Sequence, residues 1–216
     1  MEYYSQIGQD RFMNETVFRG AEEGFFVDIG AHNGIDFSNS YFFEKYKRWN
    51  GICVEPLPNV YQELIKNRKC ICLEGAISAK QGFQNFLQAQ GYSEMLSGLL
   101  NELDPRHLKR IQLTQQYYGG SLQIIPVATY PLQLILDQYG ITHVDLCSVD
   151  TEGTELTVLK TIDFSKVKIE CLTVENNYQE THVQNYLQDK GFILLTKLEF
   201  DDIYIHRESK YLELQG

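Results

Sequence analysis

The chain has 216 residues, which at about 150 residues per domain predicts one domain, 1–216, with room for an insertion. Apolar residues make up 43% and charged residues 22%, a globular composition that excludes disorder, collagen and coiled coil and can bury a core without metal or disulfide staples. Acidic residues outnumber basic ones, 29 to 19, for a formal charge of −10, which argues against a general nucleic-acid binder because such proteins need a cationic surface.

The N-terminus, Met1-Glu2-Tyr3-Tyr4, lacks a basic region followed by an apolar stretch, so no signal peptide is expected. Phe25-Phe26-Val27-Asp28-Ile29 is a compact apolar run ending at glycines and reads as a buried parallel strand. Apolar residues at helical spacing predict a helix over Ser38 to Trp49, and Gly51 to Glu55 is a second strand. Pro56 and Pro58 stop it, and Pro58 opens a helix over Asn59 to Arg68. Cys70 to Leu73 is a third strand. This alternation implies a parallel sheet with right-handed crossovers.

The middle of the chain differs. Phe83 to Gln88 and Leu122 to Ala128 read as short strands. The polar stretch Gln90 to Ser121 between them, with Gly91, Gly98, Gly119 and Gly120 as hinges, is longer than ordinary connections. Residues 88–122 are therefore expected to form a lid or substrate-recognition insertion, with a helix around Pro105 to Gln116. Alternation resumes with a helix from Pro131, a strand Val144 to Val149 ending at Asp150, and a helix Glu155 to Ile162. A strand Ile169 to Val174 ends at Glu175, and a helix Val183 to Lys190 is closed by Gly191. The last strands, Phe192 to Leu198 and Asp202 to His206, are expected to pair antiparallel around an Asp201-Asp202 turn. The longest apolar runs are strand-sized, so no segment is expected to span a bilayer. The five cysteines are odd in number and sit mostly in strand-like runs, which suits reduced thiols in a cytoplasmic protein.

Ligands of open α/β sheets bind outside the carboxyl ends of the strands. Asp28-Ile29-Gly30-Ala31-His32-Asn33-Gly34 follows the first strand, and its glycines let backbone approach a ligand. No Gly-Lys-Ser/Thr follows, so it is not a Walker loop, and it lacks the full dinucleotide spacing. Glu55 ends the second strand, where a carboxylate accepts hydrogen bonds from both ribose hydroxyls. That feature indicates a nucleoside and leaves nicotinamide and adenosylmethionine enzymes both open. Asp150, Glu152 and Glu155 crowd the fourth strand end, a costly arrangement unless solvated, protonated or paired with a ligand, and Glu175 ends the adjacent strand.

The ordered set of motifs resembles the FkbM family of S-adenosylmethionine-dependent methyltransferases. It comprises Ser5 to Asp10, Phe26 to Gly34, Ser38-Asn39-Ser40, Trp49 to Pro56, Asn67-Arg68, Ala76-Ile77-Ser78 and Ser148 to Leu156, over roughly residues 3 to 206. The resemblance implies a Rossmann-like class I fold, a seven-stranded mostly parallel sheet with an antiparallel terminal hairpin. It implies O-methylation of a hydroxyl on a sugar, glycan or glycosylated small molecule. Asp28, Gly30, Ala31 and Gly34 would surround the methionine part of the cofactor, with Asn33, Ser38 and Asn39 lining the same loop. Glu55 would hold the ribose, Ala76 would border the adenine, and Gln6 and Asp10 would fold back over the cofactor.

Methyl transfer to an alcohol needs a base or a metal that acidifies the hydroxyl. Asp150, Glu152 and Glu175 are the catalytic candidates. A less favoured alternative is Mg²⁺ or Mn²⁺ on Asp150, Glu175 and Asn176, a hard-oxygen set similar to that of catechol-type methyltransferases. Tyr92, Arg106, His107, Tyr117, Tyr118 and Tyr178 offer stacking faces and hydrogen bonds to the acceptor, or pack the insertion onto the body. A nicotinamide oxidoreductase and a non-catalytic adenosylmethionine-binding protein are the competing classes. No Tyr-x-x-x-Lys helix stands at the place the former needs.

Overall fold

A computed structural model describes residues 1–212; the end of the tail, 213–216, lies outside the described residues. The main sheet holds seven strands. They are β1 (Phe25–Ile29), β2 (Asn50–Glu55), β3 (Ile71–Glu74), β8 (His143–Val149), β9 (Lys168–Glu175), β10 (Phe192–Leu198) and β11 (Asp201–His206), in the order β10-β11-β9-β8-β1-β2-β3. All pairings from β9 through β3 are parallel, and β11 runs antiparallel between β9 and β10. The strand order reverses at β1, so the carboxyl ends of β1, β2 and β8 open onto the switch-point crevice. The expected fold class is present.

Alternation within each strand feeds two cores. Val27, Ile29, Ile52 and Val54 face the side covered by α5 (Leu132–Gln138), α6 (Glu155–Lys160) and α7 (His182–Asp189). Phe26, Cys53, Leu146 and Cys171 face Met13, Phe18, Phe42, Phe43 and Trp49 on the other side. Each such apolar side chain contributes about 1.5–3 kcal/mol by burial. Ser209 and Tyr211 are buried, and the Tyr211 hydroxyl donates to Asp145 at 2.7 Å, so this part of the tail belongs to the core.

A second sheet was not expected. β4 (Ala76–Ile77), β5 (Gly82–Ala89), β6 (Gly98–Leu99) and β7 (Leu122–Tyr130) form it in the order β4-β7-β5-β6. β5 and β7 pair antiparallel from Gly82–Thr129 to Ala89–Leu122. The polar stretch therefore hangs from the far end of a hairpin. It carries a 3-10 helix, Gly91–Leu96, and α4 (Pro105–Tyr118), which Asp104 caps by accepting from Arg106 N at 2.7 Å.

Two boundaries moved for physical reasons. α2 covers only Tyr41–Lys47, because Ser38 Oγ accepts from Tyr41 N at 3.1 Å and Ser40 Oγ turns to Asp28; Arg48, at φ 57°, ends the helix. Asp201 and Asp202 are not a turn. Both lie buried in β11 and the hairpin turns at Glu199-Phe200, with Glu199 at φ 52°.

Candidate functional site

A cavity of about 500 Å³ occupies the crevice. Gly30 follows the end of β1, beside the end of the parallel β8; at φ 81°, a Cβ there would stand 1.8 Å from the Asp150 carbonyl oxygen. Gly30 N and Ala31 N both donate to Val54 O, at 3.0 and 3.1 Å, and Asp150 N donates to Ile29 O at 3.1 Å. These bonds bring Asp28, Glu55 and Asp150 to one cavity although they are distant in sequence. Three non-glycine residues with positive φ line it: His32 at 48°, Phe37 at 59° and Glu152 at 56°. Each costs of order 1–3 kcal/mol, strain of the kind that clusters at functional sites.

At the β2 end, buried Glu55 accepts from His32 N at 2.9 Å and from Leu57 N at 2.8 Å. Burial nonetheless pushes its carboxyl up to about 7. Each oxygen keeps a lone-pair direction for a further donor. Asp28 accepts from Ser40 Oγ at 2.5 Å; burial raises its pKa and the Arg68 charge opposes the rise. Asn39 is 8% exposed, donates to Ser148 Oγ at 3.1 Å, and leaves Oδ1 unpartnered. Leu57, Ile77, Phe86, Leu96 and Leu99 supply an apolar wall.

At the β8 and β9 ends, carboxylate oxygens of Asp150, Glu152 and Glu175 lie within 4.8 Å of one another. Asp150 reaches water through the cavity while protein surrounds it; burial and the charges of Glu152 and Asp201 hold its pKa well above the ordinary value. Glu175 is raised by burial and then by Asp150 and Glu152. Glu152 is raised by burial to about 7, against the pull of Arg110 at 3.5 Å. Asn177 Nδ2 donates to both Glu175, at 2.6 Å, and Glu152, at 3.2 Å. Like charges this close cannot all ionise, so the trio retains a proton near neutrality.

Gln6, Ala31, Ser38, Ala76 and Tyr92 also line the cavity. Other expected residues do not. Asp10 is consumed by the N-terminal turn, accepting from Tyr4 N at 2.6 Å and Ser5 Oγ at 2.5 Å. Asn33 shapes its own turn, accepting from Ile35 N and Asp36 N at 3.0 and 2.9 Å. Gly34 packs against Leu64 and Arg68. Asn176 is taken out of the expected metal set: it donates to Glu180 O and Asp202 at 3.0 and 2.9 Å, and Glu152 stands beside Asp150 and Glu175 instead. Tyr117 and Tyr118 point to solvent at 86% and 61% exposure, Tyr118 stacking on Tyr92 at 4.2 Å. Arg106 pairs with Asp104 and Glu180 and covers the Tyr178 ring at 3.9 Å, beside a smaller pocket. His107 is 1% exposed, with Nε2 at 2.8 Å from Leu96 O and Nδ1 at 3.3 Å from Glu152. Burial lowers its pKa, which favours the neutral ring, with Nε2 against the Leu96 carbonyl and Nδ1 facing the Glu152 carboxyl. Arg110 also lines the cavity; Asn177, Phe37 and Phe200, which line it too, were not among the site residues expected. Asn177 was foreshadowed by the Glu175-Asn176-Asn177 strand end, whereas Phe37 and Phe200 carry no sequence signal.

The sequence pattern described as "Methyltransferase FkbM domain" matches residues 28–194. The chain belongs to the FkbM methyltransferase family. One relative, methyltransferase sdnD of Sordaria araneosa, is 26% identical over 195 residues, covering 78% of this chain and 73% of its own. The crystal structure of methyltransferase FkbM from Methylobacillus flagellatus KT superposes with a TM-score of 0.54 at 14% identity, over 94% of this chain. This chain spans about half that protein's length, 48%; the likeness is one of fold. Among the described residues no helix is long and apolar enough to cross a membrane.

Glu152 makes one stability prediction for this FkbM-family site. Its pKa is raised in the folded state from 4.5 to about 7, so its contribution is fully present below about 4.5 and is lost as pH rises through about 7. Glu152→Gln removes that loss, and its amide keeps the shape of the side chain beside His107. The variant should be more stable than the parent by about 1–3 kcal/mol at pH 8, the gap closing toward pH 4.5. Thermal melts across this range check it; a gap independent of pH contradicts it.

Proposed function

We propose that the chain transfers the methyl group of S-adenosylmethionine to a hydroxyl of a sugar, glycan or glycosylated small molecule. The observation that carries this reading is the two-ended cavity: a nucleoside-type end at Glu55 continuous with a proton-sharing carboxylate trio. The residues fit the cofactor. Glu55 keeps acceptor capacity for two ribose hydroxyls, and the apolar wall from Leu57 to Leu99, with Ala76, suits an adenine. The buried, unpartnered Asn39 Oδ1 awaits a donor beside Asp28, Gly30, Ala31 and Ser38, the surroundings of a methionine ammonium. Gln6 also lines the cavity. When bound, the cofactor supplies an activated methyl carbon.

The chain's own part is to align the acceptor, exclude water and take a proton. Asp150 is the base in this reading, because burial and its neighbours raise its affinity for a hydroxyl proton without a hydrogen bond to offset them. Glu175 orients the acceptor and tunes Asp150, while Glu152 ties α4 to the site through His107 and Arg110. Residues 88–122 are the lid, with Tyr92, Leu96, Leu99 and Arg110 among its contacts to the cavity. A divalent cation on Asp150, Glu152 and Glu175 is the second reading, favoured by their mutual reach. A cytoplasmic setting fits the five free thiols.

Calorimetry with S-adenosylhomocysteine, with NAD as control, tests the cofactor; micromolar binding of the former alone is expected, and binding of NAD alone overturns the reading. Release of S-adenosylhomocysteine across a panel of sugar acceptors tests the acceptor class. Turnover that survives exhaustive chelation removes the cation.

A further inference from the structure

Cys53 and Cys70 take no part in the site, yet they form a dithiol behind it. Their sulfurs lie 3.6 Å apart, Cys53 fully buried in β2 and Cys70 half-buried just before β3. Two residues upstream, Arg68 buries its whole guanidinium between them and the cofactor loop. It bonds Glu44 at 2.7 Å, Gly34 O at 3.0 Å and Ser40 Oγ at 2.9 Å, and Ser40 in turn bonds Asp28. The thiols of Cys53 and Cys72, and the Arg68 charge, hold the Cys70 sulfur well below the usual thiol range, whereas burial pushes Cys53 up. Cys70 is thus the sulfur that solvent reaches and whose ionised form Arg68 favours, with Cys53 buried behind it.

We infer that Cys53 and Cys70 are a thiol–disulfide modification site, oxidised by a low-molecular-weight disulfide, whose closure weakens cofactor binding at the adjoining loop. The Cys70 thiolate attacks one sulfur of the external disulfide, forming a mixed disulfide and expelling a thiolate. That thiolate takes the Cys53 proton. Cys53 then attacks the Cys70 sulfur, closing the intrachain bond and expelling the second thiolate. Two electrons pass from the cysteine pair to the external disulfide. The bond draws the sulfurs from 3.6 Å to about 2.05 Å, moving the segment that carries Arg68 and cancelling the thiolate that faced it. Arg68 then no longer holds Gly34 and Ser40 as before, and Ser38 and Asn39 shift at the cavity wall. This consequence rests on the cofactor reading above; the disulfide itself does not.

The full chain is equilibrated in glutathione buffers from fully reduced to fully oxidised, alkylated and peptide-mapped, and titrated with S-adenosylhomocysteine in each state. A Cys53–Cys70 link is expected, with affinity lowered about fivefold or more and restored by dithiothreitol. Cys70→Ser and Cys53→Ala should each make affinity insensitive to the buffer. A Cys70–Cys72 link, a glutathione adduct left on Cys70, or no oxidation at all overturns the site. A Cys53–Cys70 link with unchanged affinity overturns the coupling. Failure of the reduced chain to bind S-adenosylhomocysteine overturns the cofactor reading and with it the coupling, while the peptide map still decides the disulfide.

Discussion

Glu55→Gln should weaken S-adenosylhomocysteine binding about 10- to 100-fold while the chain stays folded. A hydrogen bond to a charged group contributes about 1.5–3 kcal/mol, and a ribose edge offers two donors to one carboxylate. The amide removes the charge and places an N–H against either His32 N or Leu57 N, which now donate to the two oxygens at 2.9 and 2.8 Å. It keeps the shape of the side chain, whereas Glu55→Ala would leave both backbone donors buried and unsatisfied. Calorimetry reads the affinity and a thermal melt reads the fold. Unchanged affinity with a normal melt contradicts the ribose assignment. The raised carboxyl, about 7, adds a sign: binding that needs the ionised form strengthens as pH rises through about 7 and weakens below it.

Asp150→Asn should lower kcat by about 10²–10⁴, the usual worth of a positioned base, with little change in S-adenosylhomocysteine affinity. The pH profile carries more information than the loss. A base must be deprotonated, and burial with the charges of Glu152 and Asp201 holds Asp150 well above the ordinary carboxylate range, so the rising limb should lie above that range. Glu175→Gln deletes a like charge beside Asp150 and should move that limb to lower pH; a merely structural role for Glu175 would lower the rate without moving the limb. Full activity in Asp150→Asn removes it as the base. Activity lost on chelation and restored by Mg²⁺ or Mn²⁺ would make the trio a metal site instead.

The lid assignment shows where sequence reading reached its limit. Tyr92, Tyr117 and Tyr118 are chemically alike and lie in one polar stretch, yet only Tyr92 reaches the cavity, because the β5–β7 hairpin and α4 set where each one points. Arg106 has the charge to bind an anion, but Asp104 and Glu180 had already claimed it. Asp10 and Asn33 belong to recognisable motifs, and short-range bonds to neighbouring backbone turn both away from the cavity.

What the sequence determined by itself is whatever depends on local period and on strand order. The apolar runs that became β1, β2, β8 and β9, the helices between them, the antiparallel final hairpin, and the placement of Asp28, Glu55, Asp150 and Glu175 at strand ends all follow from side-chain alternation and crossover handedness. Only the tertiary structure decided which polar side chains remain free for a ligand. Partners distant in sequence settle that: Glu152 against His107 and Arg110, Asn39 against Ser148, Arg68 against Gly34 and Ser40, Cys53 against Cys70. A buried polar group must find such a partner or pay the cost of desolvation, and which partner it finds is a property of packing that no local pattern encodes.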